Sequence, residues 1–344
     1  MVECEYLKLF IANCKNDSKL DCRRFLSFCN KTMASFFYML TYQVELDDRV
    51  FFTSVELLNK YLICSMIKAC SSINKDPNSL KKQYELIKEK YLREKYLIAT
   101  GCFQLATQIC DRAIDTPRLM EYFHELARMD PNMTTITRLN RDQLIEIEIH
   151  ILTTIDHIFP QYTPHMFMSY FLRFLNNEMK MISERLHNAS MLLLVHIYLQ
   201  WTSLIEILAK KESGSSTVNK IQMYSIDSFS FSFDNNLFYK IRENVTQRLR
   251  DPLLLGSATI LAASKMFCHG MNSQIHDKII SLFVSLLGID PMRIYMAQFF
   301  AEEVVQKSVN VRLLMGQTDN SNSRILVDRE HDFDDESMMT FSSP

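Results

Sequence analysis

The sequence predicts an all-α protein, and three observations carry the prediction. Glycine is scarce, with 6 in 344 residues, whereas a sheet-rich chain needs more of it for its turns. Apolar residues recur at helical spacing along most of the chain. Four dipeptides, Thr116-Pro117, Thr163-Pro164, Asp251-Pro252 and Asp290-Pro291, place a capping side chain before a proline. At such a start the cap oxygen accepts an orphan backbone N–H, and proline, lacking one, loses nothing at the first helical position.

The elements follow in order along the chain. Residues 1–34 read as an N-terminal helical extension. Val50 to Cys70 is one helix, with Val55, Leu58, Leu62 and Met66 on a stripe. Residues 75–90 form a polar connection that leads into an apolar helix from Tyr91 to Arg112. A short helix is expected at 117–129, a long one at 139–157, and another from Pro164 to about Leu175. Residues 179–209 are expected to form one long helix containing Trp201. The serine-rich stretch 211–235 reads as a mobile loop. Helices are then expected near 236–249, 252–268, 274–287 and 291–308. From 310 to 344 the chain is a disordered acidic tail, six of the nine residues from Asp328 to Glu336 being Asp or Glu.

An internal echo runs through this order. Leu97 to Ile109 (LIATGCFQLATQI) resembles Leu254 to Met266 (LLGSATILAASKM), both rich in small residues. Small residues let neighbouring helices approach closely, so each segment is a candidate central helix of a bundle. The chain is long enough for one large or two medium domains.

Composition narrows the function classes. The formal net charge of -2 gives no global drive toward nucleic acid or anionic membrane. The 9 cysteines are odd in number and form no CxxC, which points to reduced thiols rather than a disulfide framework or zinc ribbon. No basic region followed by an apolar core opens the chain, so no signal peptide is expected. The most apolar run, Met191 to Leu199, is too short to span a bilayer, and no membrane association is expected. The 20 methionines read as adaptable core filling, with a plastic partner groove as the alternative.

No motif for catalysis is present: no GxGxxG, GxxxxGK[ST], GxSxG or HExxH. His150 and His157 lie seven apart and lack the further ligands a metal site needs. Glu146 and Glu148 point to different helix faces and are not an acid/base pair. The chain is therefore read as a non-enzyme with no cofactor and no metal.

The order of three segments is similar to a cyclin box: SVELLNKYL (54–62), QLATQICD (104–111) and EIEIHILTTIDHIFPQYTP (146–164). The resemblance spans a first box at 35–176 and a divergent second box at 177–309. Within cyclin-like proteins the chain most resembles the cyclin N-terminal-domain-containing proteins of meiotic crossover formation. The stretches KKQYELIKEKYLREKYLIATGCFQLAT (81–107), ERLHNASMLLLVHIYL (184–199) and DPLLLGSATILAAS (251–264) carry that likeness.

The resemblance implies a nuclear, non-catalytic factor on meiotic chromosomes that binds a cyclin-dependent kinase, MutS/MutL-type recombination proteins, or both. Cyclins present a lysine from the central helix and a glutamate from the following long helix to their kinase. The glutamate position matches Glu148, and the lysine position holds Gln108. Neighbouring contact positions fall on Ile109, His157 and Phe159, His157 standing where cyclins usually carry an aromatic. The substrate-docking MRAIL-like segment has no counterpart in CNKTM (29–33).

Alternatives from other classes are a general cyclin or transcription-type kinase regulator, and a DNA-binding cyclin-fold protein. For the last, Lys240, Arg242, Arg248 and Arg250 form the basic group that would meet phosphates. The mixed run 81–95 reads as a solvated helix face with i,i+4 pairs. Ser343-Pro344 is a minimal site for proline-directed phosphorylation.

Overall fold

The computed structural model describes residues 31–71, 77–110, 114–129, 133, 139–160, 162–179, 184–212, 244–246, 248–267, 273–285 and 287–307. The expected extension up to residue 30, the loop 211–235 beyond Glu212, and the acidic tail lie outside the described residues. Among the described residues the regular elements are helices: α1 (Lys31–Gln43), α2 (Asp48–Ser71), α3 (Pro77–Ile109), α4 (Thr116–Met129), α5 (Arg141–Thr154) and α6 (Pro164–Met179), then α7 (Glu184–Leu199), α8 (Trp201–Glu212), α9 (Pro252–Phe267), α10 (Ser273–Ser285) and α11 (Pro291–Lys307). The all-α class is as expected.

Three of the four Xaa-Pro starts are capped as the sequence predicts. Thr163 Oγ1 accepts from the Met166 N–H at 3.2 Å, Asp251 Oδ1 from the Leu253 N–H at 3.0 Å, and Asp290 Oδ1 from the Met292 N–H at 2.9 Å. The fourth is displaced by one residue. The Asp115 carbonyl accepts from the Leu119 N–H at 3.0 Å, so Asp115 takes the capping position and Thr116 is already helical.

Two further expectations are corrected. The connection at 75–90 is helical from Pro77, so α3 runs 33 residues. The single helix expected at 179–209 is two, α7 and α8, meeting at Gln200 with a bend of 79°. Neither proline nor glycine marks the break; the Tyr198 and Trp201 rings on its two sides are both buried, 6.2 Å apart. α6 packs mainly on α9 and α7. No single helix among the described residues is long and apolar enough to cross a membrane.

The two small-residue helices sit at the centres of two packed groups. In the first, α3 lies against α2 and α5, with α1 on α2. In the second, α9 lies against α11, α7 and α6. Glycine makes both approaches possible. A Cβ on Gly101 would fall 2.5 Å from Ile147 Cγ2, and one on Gly256 would fall 2.5 Å from Phe167 Cδ1. Phe167, Phe171 and Phe283 stack beside the second contact, the last two with centroids 4.4 Å apart. Rings buried this completely contribute about 1.5–3 kcal/mol each through lost apolar exposure.

A mixed aromatic and polar seam joins the groups. Phe52 of α2 stacks on His165 of α6 at 4.8 Å and meets Tyr198 of α7 edge-on at 5.4 Å. Beside them the Tyr198 hydroxyl donates to Glu56 Oε1. Burial pushes the Glu56 carboxyl above the usual range, while the Tyr198 hydrogen bond and the Arg250 charge pull the other way. Burial likewise holds Arg250 down to about 10, against the opposing pull of Glu56.

Candidate functional site

The candidate face is built by the C-terminal half of α3 and by α5. A capping box fixes where α5 begins: the Asn140 side chain accepts from the Gln143 N–H at 2.9 Å, and the Gln143 side chain accepts from the Asn140 N–H at 3.1 Å. From that start, Leu144, Ile151 and Thr154 face the core. The glycine at 101 then lets Ile147 and Ile151 press directly on the α3 backbone. This close packing sets α5 beside the exposed Gln108 and the half-buried Ile109.

Glu148 is half-buried on α5, with the exposed Gln108 side chain beside its carboxyl. Burial raises the Glu148 carboxyl above its ordinary range, and the Gln108 donor opposes that rise. Two of the residues matched to the cyclin pattern, one on each helix, are thus neighbours. Around them lies apolar surface. Ile145 is 42% exposed and Ile149 57% exposed. On a helix, positions 145, 148, 149 and 152 share one side, so Leu152, half-buried, completes that stripe.

The next residues reverse the chain tightly. Asp156 and His157 both take left-handed conformations, with φ of 55° and 58°. The His157 N–H closes the turn onto the Leu152 carbonyl at 2.9 Å. Lys68, from the last turn of α2, caps the end of α5: its Nζ donates to the Thr153 carbonyl at 2.9 Å and pairs with Asp156 at 2.7 Å. A cation at a helix C-terminus is favoured by the backbone dipole. His157 emerges exposed, Ile158 is 57% exposed, and Phe159 turns back to pack partly on the core.

His150 lies on another side of α5. Its Nε2 is 3.1 Å from the Tyr61 hydroxyl, and burial followed by the Lys90 charge lowers its pKa. It is therefore tied to the α2 side of the bundle and separate from the isoleucine stripe.

Of the basic group expected to meet DNA, the structure describes Arg248 and Arg250. Lys240 and Arg242 lie outside the described residues. Arg248 donates from Nε to the Asn244 carbonyl at 3.3 Å, and its Nη1 sits 3.9 Å from Met296 Sδ. Arg250 turns inward: its Nη2 is buried and its guanidinium lies within the field of Glu56. Ser343 lies outside the described residues.

Sequence reasoning passed over Ile149 and did not single out Ile145. The signal was available: Leu144, Ile145, Ile147, Ile149, Ile151 and Leu152 surround the helix, more apolar positions than one buried stripe can hold. No protein-family model matches the chain, and no curated protein matches it.

Proposed function

We propose that the chain is a non-catalytic, cyclin-type pro-crossover factor of meiotic chromosomes in the nucleus. It binds a cyclin-dependent kinase, MutS/MutL-type recombination proteins, or both, and needs no cofactor. One observation carries the reading. The positions that the cyclin resemblance designates for kinase contact, Gln108, Ile109 and Glu148, adjoin exposed isoleucines that have no role in the protein's own core. Isolated exposed apolar residues are ordinary, but branched side chains grouped around a half-buried carboxylate suit a docking surface.

The test is retention of purified partners on the immobilised full chain: a panel of cyclin-dependent kinases, followed by histone phosphorylation on the eluate, and the recombination complexes in parallel. Retention lost in Glu148→Arg and Ile149→Asp supports the reading. Failure of every partner on folded protein, verified by circular dichroism, removes it. Duplex DNA binding through the basic group is the weaker reading, since Arg250 turns inward.

A further inference from the structure

The α5 face carries a charge asymmetry that says what its occupant must bring. We infer that Glu148 is an acceptor for a cationic side chain on a partner helix whose aliphatic ridge covers Ile145 and Ile149. The inference deepens the proposed function, and rests on it for the claim that this face docks a protein at all.

Geometry supports it first. Glu148 lies on the same side of α5 as Ile145, Ile149 and Leu152, so a helix laid on the isoleucines would cover the carboxylate too. Covering it removes its remaining water, which costs several kcal/mol for an uncompensated ion, on the order of the penalty for any buried charge. The Gln108 amide beside it is neutral, and no cation among the described residues contributes to its titration. A neutral amide does not balance the charge of a carboxylate that is cut off from water, whereas a cation does. The face is therefore acceptable when open and incomplete when closed, unless the partner supplies the cation.

Charge around the stripe agrees. Along α5 the acids Asp142, Glu146 and Glu148 outnumber the single arginine, Arg141, with Glu146 on another face and Lys68 at the helix end paired with Asp156. Complementary potential governs encounter and orientation more than it adds raw affinity. An acidic or polyanionic partner, nucleic acid included, is disfavoured here.

The occupant's sequence is unknown, so the test reads its chemistry. A phage-displayed library of random peptides is selected on the immobilised full chain, with counter-selection on Ile149→Asp. The same selection is repeated on Glu148→Gln and Glu148→Lys, after circular dichroism shows that each variant is folded. Expected peptides carry Leu or Ile at helical spacing plus one Arg or Lys. Expected, too, is that replacing that cation weakens binding about tenfold, a change of ~1.4 kcal/mol. With Glu148→Gln the cation preference is lost, and with Glu148→Lys it becomes a preference for Asp or Glu.

Peptides that need Ile149 but show no cation preference overturn the inference and leave the docking face standing. Absence of any Ile149-dependent peptide removes both. Sedimentation gives the remaining outcome: a wild-type dimer that Ile149→Asp makes monomeric identifies a second copy as the occupant and overturns the proposed partner.

Discussion

Gln108 on α3 lies beside the Glu148 carboxyl on α5, 40 positions further along the sequence, and opposes the rise in its pKa that burial causes. The Gln108 amide is neutral, so it eases the burial of the carboxylate without supplying an opposite charge. Glu148 titrates above an ordinary carboxylate because burial opposes its charge. Its folded-state pKa therefore exceeds the unfolded one, and its ionised form disfavours folding at neutral pH. That penalty shrinks as pH falls through the folded-state value toward the unfolded one. Glu148→Gln is expected to equal or slightly exceed wild type in thermal stability at pH 7, with the difference vanishing near pH 4. A lower melting temperature at pH 7 would show that the carboxylate is net stabilising.

His165 provides a larger and opposite pH dependence. It is buried against Phe52, and burial lowers it to about 4. The folded chain holds it neutral while the unfolded chain protonates near pH 6.5. Its contribution is complete above that pH and is lost as pH falls from 6.5 toward 4, by roughly 3 kcal/mol in all. Urea denaturation at several pH values should show this slope, and His165→Phe should flatten it. An unchanged slope in the variant would place the acid sensitivity elsewhere.

Glu56, Tyr198 and Arg250 test the seam between the two helix groups. Removing Arg250 takes away the positive charge that favours the ionised form of the half-buried Glu56, so Arg250→Met is expected to be destabilising at pH 7. The deficit relative to wild type should narrow on acidification as Glu56 takes up a proton. Tyr198→Phe should cost about 1.5–3 kcal/mol, the range for a hydrogen bond to a charged group. Chemical denaturation of the three chains decides it; a near-neutral Arg250→Met would mean that Glu56 is already protonated at pH 7.

Gly101 and Gly256 are expected to resist substitution by any larger residue. Alanine at 101 gains about 1 kcal/mol in helix propensity. Against that, its Cβ would lie 2.5 Å from Ile147 Cγ2 and 2.8 Å from Ile151 Cδ1, and overpacking of this kind costs about 1–3 kcal/mol. Gly101→Val should be clearly worse than Gly101→Ala, and Gly256→Val should follow the same order against the Phe167 ring. Melting temperatures for the four variants check the ranking.

His157 holds a left-handed conformation at φ 58° with an exposed side chain. A non-glycine residue there carries roughly 1–2 kcal/mol of strain. His157→Gly should raise stability by up to about 1 kcal/mol, allowing for glycine's larger unfolded-state entropy. If the residue also serves the docking face, partner retention falls while the melting temperature rises. Both changing in the same direction would mean that His157 acts only through the fold.

The helical class and most element positions were legible because caps and apolar spacing act locally. Thr163, Asp251 and Asp290 each bond a backbone N–H two or three residues away, a distance over which sequence is a direct guide. The errors fall where the deciding contact is remote or where local signs are silent. KKQYELIKEK reads as polar, yet polar residues propagate a helix as readily as apolar ones once α3 is anchored at its other end. The break at Gln200 has no proline or glycine to announce it. Arg250 looked like a surface cation until Glu56, nearly two hundred positions away, placed it inside. The Gln108–Glu148 partnership has the same character: a family pattern could name both residues, but only packing could join them.

The glycine beneath the proposed docking face has a consequence for genetics. Gly101 touches no partner, yet it sets how far α5 stands from α3, and so where Glu148 and the isoleucines are presented. An allele that enlarges this residue would score as an interaction mutant in any pull-down while its lesion lies in the interior. Separation-of-function alleles should therefore be sought at Ile149, on the outside, and any loss of binding traced to position 101 should be attributed to altered spacing of the scaffold.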